Sequence, residues 1–148
     1  MIRSIINRED LFPKPLVSVR APMSVLGVEE VKDGLAVVEW HMPTSITPMR
    51  YAISVRRDDN IRTMISKAGN FVVNFMGQEH KSVVLACENR DCLFVDLFSS
   101  VGISKSEADM VESPRVKEAK AFLECEVEQE LDSGDHTLFL GRVVGPRV

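Results

Sequence analysis

Two adjacent arginines, Arg56 and Arg57, stand where the apolar run Tyr51-Ala52-Ile53-Ser54-Val55 gives way to Asp58-Asp59-Asn60, a cluster of helix-capping residues. A guanidinium fork grips a phosphate bidentately, and a helix start adds free backbone amides. Strand end, arginine pair and helix start therefore form a seat for a phosphate. From the residues alone the pair reads equally as solvated charges facing Asp58 and Asp59. Of the three histidines, His41, His80 and His136, the last opens the apolar run Thr137 to Val144. Their near-neutral unperturbed pKa suits proton transfer, although a lone histidine at a strand start is more often structural. Cys87, Cys92 and Cys125 form no Cys-x-x-Cys and have no histidine pair nearby, so free, buried or half-buried thiols and no metal site are expected.

The element that positions the arginines is the run Gly34 to Arg56, read as two strands joined by a loop that confines Pro43 and Pro48. It contains the only Trp and the only Tyr of the chain, and Trp40 is expected to anchor the core. Leu16–Val19 and Met23–Val28 are strand-like, and Asp33-Gly34 is a hairpin-turn signal feeding the Leu35–Trp40 strand. Asn60–Ala68 has apolar residues at 61, 64, 65 and 68, one helical face, with Gly69 as its stop. A strand over Phe71–Phe75, a short helix over Glu79–Cys87, a short apolar stretch Leu93–Phe98 and a loop over 101–109 with a turn of helix follow. Glu118–Leu131 alternates, with Glu124, Glu126 and Glu128 on its polar face; Asp132–Asp135 turns the chain into the His136–Val144 strand. Gly141 there signals a bulge or a close backbone approach. The expected fold is mainly β: an antiparallel, Greek-key-like barrel with short helices, closed so that no sheet edge is exposed.

At 148 residues, 45% hydrophobic and 27% charged, the chain reads as one globular domain, 1–148, with 1–13 as an N-terminal arm. A net charge of −4 argues against a nucleic-acid partner, which demands a concentrated basic face. No apolar run approaches about 18 residues and the N-terminus lacks a signal-peptide core, so no membrane association and a cytoplasmic location are expected.

Along the chain, Trp40-x-x-Pro43-x-Ser45-x-x-Pro48 resembles the Ser-Trp-x-Thr-Pro-x-Ser-x-x-Pro-Pro segment of the flavin reductase-like proteins. Gly69-Asn70-Phe71-Val72-Val73-Asn74, Asp96-Leu97-Phe98, Ser113 to Ala119 and Gly134 to Val144 match the same family in order, over roughly residues 34 to 145. The resemblance implies an FMN-binding split barrel acting as an NAD(P)H-dependent flavin or ferric reductase, with hydride passing from NADH or NADPH to bound flavin. It also implies a homodimer with the cofactor at its interface. Carried over by position, Val37, Val38, Glu39, Trp40, His41 and Ser54 would run along the flavin ring and ribityl chain. Arg56, Arg57 and Asn60 would take the phosphate, and His136 would stand close to the ring as the catalytic residue. The chain departs from the family at Val37, Val38 and Glu39, where Asn, Thr or Ser is usual. A carboxylate beside an anionic cofactor is unfavourable unless it points away. The alternative is a non-catalytic flavin- or haem-binding barrel that has lost these polar contacts.

Overall fold

The structure, a computed structural model, describes residues 14–147 except 89 and 94, so the proposed arm over 1–13 lies outside the described residues. The chain runs through β1 (Leu16–Val25), β2 (Val28–Val37), β3 (Trp40–Ile46), β4 (Met49–Arg56), α1 (Asn60–Ala68) and β5 (Asn70–Phe75). After these come α2 (Lys81–Cys87), α3 (Leu97–Val101), β6 (Lys105–Ser106), β7 (Arg115–Val116), β8 (Ala121–Ser133) and β9 (His136–Gly145). Seven strands form one antiparallel sheet in the order β2-β1-β5-β8-β9-β4-β3, with β6 and β7 as a separate ribbon. The mainly-β, split-barrel expectation holds; only closure without an exposed edge does not, since β2 and β3 stand at the two ends of the sheet and no ladder joins them among the described residues. Helix α1 packs against β1 and buries Ile61, Met64 and Ile65, joining a core built from Leu16, Val17, Val19, Ile53, Phe71, Val73 and Phe139.

Several local expectations are corrected by packing. The first hairpin turns at Leu26-Gly27, both at positive φ (52° and 79°), the geometry of a two-residue turn that follows strand twist. Asp33-Gly34 lies instead inside β2. There a Cβ on Gly34 would come within 2.7 Å of Met64 Sδ and 3.2 Å of Cys92 Sγ, so the glycine serves the close approach of α1, not a turn. Pro43 belongs to β3; an edge strand tolerates it, and the register shifts between Pro43 and Ser45. Trp40 opens the same strand and is 38% exposed, so it does not anchor the core. Gly141 meets both readings: its Cβ would sit 2.8 Å from Cys125 Cβ, and β8 opposite shifts register between Val127 and Gln129.

Glu124, expected on a polar face, is fully buried. Its carboxylate accepts the N–H groups of Asp109 (3.0 Å) and Met110 (2.6 Å) and faces Arg115 Nε at 3.2 Å. This is one of several ties that fasten the long connection between α3 and β8 to the sheet, Ser18 of β1 donating to Pro114 O and Arg20 N–H to Ser113 Oγ among them. Asn70 Oδ1 accepts Ser113 N–H at 3.1 Å; buried Asn74 accepts Val116 N–H at 2.9 Å and donates to Leu16 O at 2.9 Å. Two of the stretches that carry the family resemblance, Asn70–Asn74 and Ser113–Val116, therefore meet each other and shape the barrel.

Candidate functional site

The β4–β9–β3 corner collects most of the candidate residues. Strand register places Trp40, Ser54, Leu138 and Leu131 in one row across β3, β4, β9 and β8, and Met42, Ala52, Leu140 and Gln129 in the next row on the same face. The intervening positions Ile53 and Phe139 point into the core, so these rows form the outer face. That face is apolar: Met42 and Leu131 are each 60% exposed. His136, next to Arg56 in register, belongs to it as well, and its ring stacks on Trp40 with centroids 4.2 Å apart and planes at 22°. Asp135 Oδ1 lies 2.7 Å from His136 Nδ1, and that contact holds the Asp135 carboxyl below its ordinary range.

His41 takes the opposite side. Its Nδ1 is 2.6 Å from the Tyr51 hydroxyl, and both rings meet Phe75 edge-on. Burial lowers the His41 pKa and raises that of Tyr51, so the pair is neutral near pH 7. The His41 side chain thus does not join the Trp40 face. Val37 ends β2 half-buried, and Val38 is buried and donates its N–H to Pro15 O at 3.1 Å. Glu39 is held by Lys14: Nζ lies 2.8 Å from the Glu39 carboxylate and 2.9 Å from Glu88.

The arginine corner is already partnered. Arg56 Nε faces Asp58 at 3.3 Å; Arg57 donates to Gly134 O at 3.2 Å and lies 3.6 Å from Asp132; Asn60 donates to Asp91 at 2.8 Å. Asp59 precedes α1 without a side-chain capping bond, and burial together with Asp58 raises its carboxyl pKa. The first turn of α1 therefore lacks a side-chain acceptor from its cap. The thiols supply no nucleophile: all three cysteines are free and buried, and burial pushes Cys92 up to about 11 and Cys125 up to about 12. No His, Cys, Asp and Glu cluster suited to a metal occurs among the described residues. No helix among them is long and apolar enough to cross a membrane. A concavity of about 610 Å³ is lined by Asn70, Glu107, Asp109, Glu112 and Glu126 among others and contains none of the candidate residues.

A flavin mononucleotide asks for an apolar face, edge hydrogen bonds and a cationic phosphate seat. The outer face with the Trp40–His136 stack supplies the first. The free side of edge strand β3 supplies a row of backbone groups without a strand partner among the described residues. Arg56 and Arg57 would supply the third only by leaving Asp58 and Asp132, and exposed ion pairs of this kind contribute little. Glu39, the departure that most opposes an anion, is paired with Lys14, which it shares with Glu88. The residues present fit the group. Sequence reasoning missed Lys14, which no local pattern links to Glu39, and the apolar partners Leu131, Leu138 and Met42, which only strand register assembles.

The split antiparallel barrel is the fold shared with flavin-binding split-barrel proteins. The model of the flavin reductase like domain matches residues 16–148, and the chain belongs to that family. An uncharacterised protein of Archaeoglobus fulgidus is 28% identical over 129 residues, covering 87% of this chain and 72% of that protein. Diflavin flavoprotein A 1 of Synechocystis is 27% identical over 80% of this chain, which spans only 20% of that protein. The FMN-binding protein from Thermus thermophilus shares the fold with a TM-score of 0.76, at 24% identity, covering 89% of this chain and 69% of that one.

Proposed function

We propose that this domain binds FMN on the outer face of β3, β4 and β9 and works as a flavin reductase-like oxidoreductase with NADH or NADPH as hydride donor. The observation that carries the reading is the Trp40–His136 stack, which brings the family's loop residue and its C-terminal histidine together on an apolar face. Bound FMN would supply the two-electron chemistry, and the chain supplies position, a dry face and charge. Trp40, Leu138 and Leu140 exclude water from one side of the ring. Arg56 and Arg57 turn from Asp58 and Asp132 to the phosphate, with the amides of the first turn of α1 behind them. His136, kept oriented by Asp135, holds a hydrogen bond or a proton at the ring edge. A second copy of the chain covers the apolar rows and completes the cleft, leaving room for a nicotinamide to stack on the ring; no Gly-x-Gly-x-x-Gly is present to bind the nicotinamide separately.

The reading is tested by loading the protein with FMN and following the flavin band near about 450 nm in an anaerobic stopped-flow instrument. Bleaching by NADH or NADPH is expected. Flavin that stays oxidised with both nicotinamides overturns the reductase activity and leaves flavin carriage.

A further inference from the structure

Lys14 joins three separate segments at one point: its own, which leads into β1, the β2–β3 connection through Glu39, and the end of α2 through Glu88. The three side chains are 20%, 39% and 29% exposed, so the contact is partly shielded from water. Burial alone would lower the Lys14 pKa, but the hydrogen bonds it donates to Glu39 and Glu88 and their negative charge together outweigh burial and raise it. A second tie, Val38 N–H to Pro15 O at 3.1 Å, links the same two stretches of backbone next to it. The residue after Glu39 is Trp40, whose ring covers His136. One lysine thus both pairs with the carboxylate that precedes Trp40 in the chain and pins the loop that places this aromatic wall.

We propose that Lys14 is the positioning and charge-setting residue of the flavin site: by holding Glu39 it fixes Trp40 and permits negative charge to accumulate on the ring beside it. The inference rests on the flavin-binding reading. Two-electron reduction with uptake of one proton leaves a net negative charge on the flavin, so an unpaired Glu39 weakens the reduced form more than the oxidised one. The reduction itself changes nothing covalent in Lys14 or Glu39.

Two measurements on the full chain test it. The first needs no flavin: Trp40 is the sole tryptophan, so its emission reports the loop directly, and Lys14→Met should shift it while Lys14→Arg leaves it near the wild type. The second is the midpoint potential of bound FMN, titrated with dithionite against a reference dye. Lys14→Met should lose about tenfold in affinity for reduced over oxidised flavin, a fall of about 30 mV for a two-electron couple. Adding Glu39→Gln to that variant should return the potential to the wild-type value, which a purely structural lysine would not produce. A potential unchanged in Lys14→Met, or not restored by the second substitution, overturns the proposal. If Lys14→Met does not fold, Glu39→Gln alone reads the same charge and should raise the potential; no rise overturns it equally. Failure of the wild type to bind FMN would instead sink the underlying flavin reading, while the emission of Trp40 would still tell whether Lys14 places the loop.

Discussion

His136 stacks on Trp40 and holds a carboxylate at its Nδ1, two contacts that restrict an imidazole to one orientation on an apolar face. Replacing it with Ala should slow flavin reduction by roughly 10- to 100-fold while FMN affinity stays within a few fold, because acid help and ring orientation act on the transition state. Stopped-flow bleaching beside an equilibrium titration measures both; equal rates in the variant would remove the histidine from the chemistry. His41 behaves differently. Burial depresses its pKa below the ordinary value of 6.5, so under acid conditions the unfolded chain binds the proton first. Its contribution to stability is complete above about pH 6.5 and is lost as pH falls toward the depressed folded value. Urea midpoints between pH 7.5 and 5.5 should therefore decline, and His41→Gln should flatten that decline. At this scale the sequence showed which residues are charged or aromatic but not whom they meet. Arg56 and Arg57 were legible as a pair, whereas their engagement by Asp58 and Asp132, and the capture of Glu39 by Lys14, depend on loops folding back from elsewhere in the chain.

Helix α1, β4 and β5 were legible because each carries an uninterrupted period and a clear stop, as in the left-handed Gly69 that ends α1, whereas the final hairpin was legible from its Asp132–Asp135 turn despite the register shifts within it. The first hairpin was not. Its turn uses Leu26 where Asn or Asp would have signalled it, and the Asp-Gly nearby is a glycine selected for packing under Met64. The strap between α3 and β8 was equally opaque, since its order comes from groups of β1, β5 and β8 and not from its own pattern. Asn74→Ala removes the acceptor for Val116 N–H and the donor to Leu16 O inside the core, which should cost about 3 kcal/mol. Chemical denaturation measures the loss, and limited proteolysis should then cut within residues 103–120; full resistance there would mean that the ties from Glu124, Asn70, Ser18 and Arg20 hold the strap without it.

For the whole molecule, closure of the barrel was the expectation that failed. A closed barrel hides its edges, whereas this sheet leaves β3 at one end beside an apolar outer face with Trp40, Met42 and Leu131 exposed. An apolar face next to an unpaired edge favours association, and light scattering should return the mass of two chains at micromolar concentration; a single-chain mass would leave the cleft half formed. Everything proposed converges on one ligand at one corner. The most direct measurement is a titration of the flavin-free protein with FMN and, separately, with riboflavin, followed by quenching of Trp40 emission. Saturable binding of both, with FMN tighter by about tenfold through Arg56 and Arg57 and with Arg56→Ala/Arg57→Ala removing the difference, is the result expected. Trp40 emission that does not respond to either flavin would contradict the account at its centre.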